Sequence, residues 1–110
     1  MYKIRGNIWI ENENGAFIGS GRITLLENIQ KYGSITLAAK AMKMSYRQAW
    51  ELVNSMNKQS KKPLVVTLTG GSGGGGSQLT PEGEHAIETF KDLLEKFYQF
   101  NETEAQNLKF

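Results

Sequence analysis

The 110-residue chain contains no cysteine, which excludes disulfides, thiolate catalysis and cysteine-based zinc sites. His85 is its one histidine and Asp92 its one aspartate. Both fall in one acidic stretch, without the spacing that metal ligation or a catalytic triad requires. Enzyme chemistry is therefore the weakest functional class, no cofactor is expected, and Glu82 and Glu84 beside His85 serve better at a helix N-terminus. No apolar run approaches the roughly 20 residues that cross a bilayer. Met1 to Ile10 alternates polar and apolar residues where a signal peptide would carry a continuous apolar core. A cytoplasmic protein with no membrane partner is expected. Proline is scarce, with Pro63 and Pro81 alone, and each marks an element boundary rather than breaking an element.

The residues present are those of an ordinary folded domain, 39% hydrophobic and 22% charged, in a length that fits one modest core. The net charge of +2 says little, but its distribution is uneven. Residues 1–80 hold ten Lys and Arg against four Glu, whereas 81–110 hold three Lys against seven acids. A basic body with an acidic C-terminal segment suits a module that faces nucleic acid with its last helix turned away from the phosphates.

Lys3 to Ile10, KIRGNIWI, places Ile4, Ile8 and Ile10 on one face and predicts a strand. The Asn- and Gly-rich segment Glu11 to Gly21 turns the chain, and Ala16 to Ile18 is placed to pair back. RITLLENIQKYG follows, with Ile23, Leu26, Ile29 and Gln30 at helical spacing, Ser20 as the expected N-cap and Gly33 as the stop. Ile35, Ala38, Ala39 and Met42 then stand at i, i+3, i+4 and i+7, the pattern of one buried helix face. After a break at Lys43, Met44 and Ser45, a longer helix begins at Tyr46 with Ser45 as its N-cap. Its buried face is Ala49, Leu52, Val53 and Met56, with Trp50 expected at the core edge. Two helices joined so tightly make a helix-turn-helix unit whose second helix can enter a DNA major groove.

LVVTLT after Pro63 is a β-branched strand, and the glycine run Gly70 to Ser77 leads to a short return strand at Gln78 and Leu79. The run cannot be a Walker phosphate loop, because no Lys-Ser/Thr follows it, although its composition is also that of a flexible linker. Thr80 and Pro81 open a long helix as N-cap and first position. Its stripe of Ala86, Ile87, Phe90, Leu93, Leu94, Phe97 and Phe100 exceeds what one small domain must cover. A homodimer through Ile87, Phe90, Leu94 and Phe97 is expected.

GRITLLENIQKYGSITLAAKAMKMSYRQAWELVNSMN followed by LVVTLTGGSGGGGSQLTPEGE resembles the N-terminal winged-helix domain of the ModE family of molybdate-responsive bacterial repressors. That domain is itself similar to the DNA-binding domain of LysR-type regulators. The resemblance covers about Ser20 to Tyr98. It implies a mainly α fold with a small β-hairpin (α+β), and together with the patterns above a winged helix-turn-helix is expected over 1–80 and a dimerisation helix over 81–110. It also implies double-stranded DNA as partner, and a wing formed by Thr69, Gly70, Gly71, Ser72, Gly73, Gly74, Gly75, Gly76 and Ser77. Members of the family carry a C-terminal region that binds molybdate. No counterpart is present in these 110 residues, so no molybdate site is expected within them.

At the start of the recognition helix, Arg47 can donate twice to guanine and Gln48 can bond both ways to adenine, while Tyr46 can meet a phosphate or a thymine methyl. Asn54 and Ser55 lie further along and are weaker candidates. Ser34 and Thr36 flank the N-terminus of the preceding helix, where a phosphate is favoured, although plain N-caps would look the same. Lys43, Ser45, Lys58 and Lys61 complete the expected backbone contacts, with Lys40 and Lys62 as further cations. The rival class is a winged-helix module that has lost DNA binding and works through its aromatic helix.

Overall fold

The computed structural model describes residues 1–68 and 76–110. Eight elements follow one another: β1 (Ile10–Asn12), β2 (Gly15–Ile18), α1 (Ser20–Tyr32), α2 (Ile35–Ala41), α3 (Tyr46–Gln59), β3 (Val65–Thr67), β4 (Ser77–Leu79) and α4 (Pro81–Gln106). The strands form two separate antiparallel pairs, β1 with β2 and β3 with β4. The fold is the α+β winged helix expected from the resemblance, with α1, α2, α3 and the first half of α4 enclosing one core.

The strand predicted over Lys3 to Ile10 is not formed. β1 begins only at Ile10, where β2 supplies a hydrogen-bonding neighbour. An alternating pattern becomes a strand only if another strand lies alongside, and residues 1–7 instead run beside the C-terminal half of α4. Ile8 and Ile10 still pack on the core, while Trp9 is 57% exposed. A bulge between Ile10 and Glu11 shifts the register. The Arg22 guanidinium staples this hairpin down, its Nη1 lying 3.1 and 3.0 Å from the carbonyls of Ala16 and Phe17 and 3.2 Å from Ser55 Oγ. Burial pulls the Arg22 pKa below its usual value by desolvation.

Helix α1 starts one residue earlier than expected. Gly19 is its N-cap, with no side-chain cap bond, and Ser20 is already helical. Gln30, placed on the buried face by its spacing, is exposed, and Leu25 is fully buried in its stead. Gly33 ends the helix in the left-handed conformation at φ 73°, its N–H donating to the Ile29 carbonyl. That geometry is nearly free for glycine and strained for other residues.

Ser34 caps α2 by accepting from the Leu37 N–H at 2.9 Å, and Ser45 caps α3 by accepting from the Gln48 N–H at 3.1 Å. Between them Lys43 sits at φ 56°, uncommon for a residue with a Cβ. Ala38, Ala39 and Ala49 are all at most 2% exposed, and their small side chains let the helices of the core cross closely. Asn57 ties α3 to β3: its Oδ1 accepts from the N–H of Leu64 and Val65 at 2.8 and 3.2 Å, and its Nδ2 donates to the Val65 carbonyl at 3.0 Å.

Thr80 and Pro81 open α4 as anticipated, with Thr80 Oγ1 accepting from the Gly83 N–H at 3.0 Å. Gly83 is required by packing, since a Cβ there would stand 2.3 Å from the Leu64 carbonyl oxygen. Ile87 and Phe90, expected at a dimer interface, are 8% and 0% exposed inside the chain's own core. They are therefore not free to meet a partner. Leu94 and Phe97 are half-buried further along, and Leu93, Tyr98 and Phe100 are exposed.

Candidate nucleic-acid interface

Helix α3 buries Ala49, Val53 and Met56. A 3.6-residue repeat then turns Tyr46, Arg47, Glu51 and Lys58 away from the core, and all four are exposed. The helix stands as a ridge between two crevices. One, of about 450 Å³, lies toward the β1–β2 turn and is lined by Asn14, Glu51, Asn54, Ser55, Lys58 and Gln59. The other, of about 390 Å³, lies toward β3, and Trp50, Asn54, Val66 and Thr67 are among its walls. A helix raised in this way can enter a groove about 12 Å wide with its flanks against the walls.

Tyr46, Arg47 and Gln48 are all exposed on the first turn of the ridge. Arg47 Nε lies 3.1 Å from Glu51 Oε1, with the two side chains 88% and 58% exposed. An open i,i+4 pair contributes only about 0.3–0.5 kcal/mol. It can therefore orient the guanidinium and still release it to a base. Glu51 had no role assigned from sequence, yet it shares the reading face, where a carboxylate can accept from cytosine N4.

The backbone-contact candidates occupy the surroundings of this ridge. Ser34 and Ser45 both use their oxygens as helix caps, which leaves each hydroxyl hydrogen available to a phosphate. Thr36, Lys43, Lys58 and Lys61 are exposed. Lys62 is exposed as well and approaches Glu82 at 3.9 Å. Ser55, a weaker candidate, is committed internally by accepting from Arg22 and Gln59.

Of the wing, Thr69, Gly70, Gly71, Ser72, Gly73, Gly74 and Gly75 lie outside the described residues. The last two members occupy the base of the β3–β4 hairpin. Ser77 is the first residue of β4 and only 5% exposed, so its side chain is closed to a phosphate. Gly76 lies against the end of α1, where a Cβ would meet the Gly33 carbonyl oxygen at 2.8 Å. The hairpin base is anchored there by the Ser77 N–H donating to Gly33 O at 2.9 Å.

Trp50, expected at the core edge, is 47% exposed. Its position, four residues after Tyr46, lies on the flank of α3 that faces β3, and there is not enough protein opposite to cover an indole. Spacing relative to the buried face could have indicated this: Ala49 and Val53 point inward and Trp50 is a quarter-turn away. His85 is exposed on α4, its ring 3.3 Å from the Thr89 hydroxyl.

Residues 21–84 match the family model described as "Bacterial regulatory helix-turn-helix protein, lysR family". The transcriptional regulator ModE of Haemophilus influenzae is 44% identical over 79% of this chain and 34% of its own length. The DNA-binding transcriptional dual regulator ModE of Escherichia coli is 43% identical over 76% of this chain and 31% of its own length. The chain thus spans about a third of the length of the curated relatives it matches. Among solved structures, a mutant MepR from a multidrug-resistant S. aureus clinical isolate has a TM-score of 0.62 at 18% identity, covering 84% of this chain and 66% of that one. A complex of S. aureus MepR with DNA gives 0.57 at 18% identity, with the same coverage. These two likenesses establish the fold. With the family model covering the helix-turn-helix, the β3–β4 hairpin and the opening of α4, the chain belongs to the bacterial regulatory helix-turn-helix proteins of the lysR family.

Proposed function

We propose that the protein reads duplex DNA sequence-specifically as a homodimer and acts as a transcriptional regulator in the bacterial cytoplasm. The observation that carries this reading is the ridge of α3, capped by Ser45, with Tyr46, Arg47 and Gln48 exposed together on its first turn. In the bound state Arg47 leaves Glu51 for guanine O6 and N7, Gln48 bonds adenine, and Tyr46 meets a thymine methyl or phosphate. Ser34, Thr36, Lys43, Ser45, Lys58 and Lys61 hold the flanking phosphates, and the glycine-rich segment joining β3 to β4 lies along the DNA backbone. Trp50, exposed on the wing side of the same helix, contributes apolar contact with the sugar edge or a thymine methyl. The dimer forms through the half-buried and exposed side chains of α4, Leu94 and Phe97 foremost. No molybdate site is assigned to these residues, because the relatives extend well beyond the matched region.

Selection of duplexes from a random pool tests the reading, followed by binding titrations at several salt concentrations. Enrichment of a palindromic site with half-sites about one helical turn apart is expected, with affinity falling steeply as salt rises. Arg47→Ala should reduce discrimination by about 1–3 kcal/mol at one base pair, while Lys58→Ala weakens all sequences alike and lowers the salt slope by about 1. A protein that self-associates but shifts no duplex at any salt concentration would instead be the interaction module.

A further inference from the structure

Between residues 28 and 80 Glu51 is the one acid among seven Lys and Arg, and it stands at the centre of the face that α3 turns outward. With about 3.6 residues per turn, the direction opposite the buried Ala49, Val53 and Met56 falls between Glu51 and Lys58, with Arg47 beside them and Tyr46 and Gln48 toward the flanks. The Glu51 side chain is 58% exposed, and its Oε1 lies 3.1 Å from Arg47 Nε. Its Oε2 has no hydrogen-bond partner among the described residues. The other side chains one helical turn away, Gln48, Asn54 and Ser55, bring no second cation. Arg47 is therefore the single cationic partner of Glu51 among the described residues.

We infer that Glu51 determines specificity, its carboxylate accepting from the N4 amino group of a cytosine about one to two base pairs from the guanine that takes Arg47. This rests on the DNA reading proposed above and goes further by giving the middle of α3 a base. When Arg47 turns to guanine, Glu51 loses its cation inside a groove walled by phosphates. A bare carboxylate there weakens the complex with every sequence, and only a base amino group relieves it, so the acid selects by penalty. The base edges of the major groove offer two such groups, adenine N6 and cytosine N4. Adenine sets its N7 acceptor beside the amino group, where it opposes a carboxylate, whereas cytosine presents no acceptor on that edge. Four residues advance about 6 Å along a helix, against about 3.4 Å for one base-pair step. Arg47 and Glu51 therefore meet different base pairs. Binding exchanges the ion pair of the free protein for two base contacts, and a site with the guanine but without the cytosine leaves the carboxylate unpaired.

The test uses the full chain and the duplex enriched from the random pool. Single base-pair variants of that duplex are competed against it for the unmodified protein, Arg47→Ala and Glu51→Ala, with thermal unfolding to show that both variants fold as the parent does. Glu51→Ala should lose at least about fivefold preference at one C·G pair where Arg47→Ala stays selective. It should also bind unrelated duplexes more tightly, because an acid facing the phosphates is gone. Replacing that cytosine by an analogue without the N4 amino group should weaken the unmodified protein by about the same factor and leave Glu51→Ala unaffected. Specific binding in which Glu51→Ala alters only the base pair read by Arg47, alters an A·T pair or alters none overturns this inference while the DNA reading stands. An analogue that weakens both proteins equally does the same. A protein that selects no duplex overturns the reading above and this inference with it.

Discussion

The two ends of the molecule treat their polar and apolar groups differently. From α1 to α3 the structure closes on itself: alanines sit at the helix crossings, Asn57 satisfies three backbone groups of Leu64 and Val65, and Arg22 ties hairpin, α1 and α3 together. In the second half of α4, Phe100 and Tyr98 are more than half exposed and Asn101 is buried with no donor to its Oδ1 among the described residues. The first region is complete as one chain and offers a polar ridge to an outside ligand. The second is unfinished as one chain. Phe90 and Phe97 illustrate the difference, being two turns apart on one stripe, one with no exposed surface and the other half-covered.

Substitutions along that stripe break the comparison most sharply. Phe90→Ala should destabilise the fold by about 3–5 kcal/mol, through lost burial and a cavity, measured as a lowered midpoint in urea at any protein concentration. Gly83→Ala comes next. Its new Cβ must displace the Leu64 carbonyl, and a loss of about 2–3 kcal/mol is expected from overpacking, again independent of concentration. Lys43→Gly acts in the opposite sense, relieving the left-handed strain at φ 56° and raising stability by up to about 1 kcal/mol. On the proposed reading the same change should also weaken duplex binding, because it removes an exposed cation assigned there to a phosphate. Phe100→Ser should be the smallest within one chain, shifting the unfolding midpoint of dilute protein by no more than about 0.5 kcal/mol. It should nevertheless weaken self-association, read by sedimentation; an equal loss of stability at low concentration would show that Phe100 belongs to the chain's own core.

Much of the recognition unit was legible because it is written locally. Ser34, Ser45, Thr80 and Gly33 act on backbone groups within a few residues, and the Ala38, Ala39 and Ala49 faces follow from a 3.6-residue repeat. These depend on neighbours in sequence, so a single chain of letters contains them. The exposed first turn of α3 followed from the same repeat. The exceptions each depend on something distant. Lys3 to Trp9 has strand-like alternation but no strand beside it. Ser20 lost the cap to Gly19 because the hairpin sets where α1 begins. Trp50 is uncovered because β3 leaves its flank open.

By itself, then, the amino-acid order determined the helices to within a residue or so, the caps at Ser34, Ser45 and Thr80, the tight turn before Tyr46 and the hairpin that follows, since each arises from hydrogen bonds and side-chain spacing over a few residues. Only the tertiary structure decided which part of the α4 stripe is interior and which is surface. Burial is a property of what lies opposite: Ile87 and Phe90 fall within the core cluster, whereas Phe97 lies beyond it, half-buried beside Gly6 of the N-terminal segment.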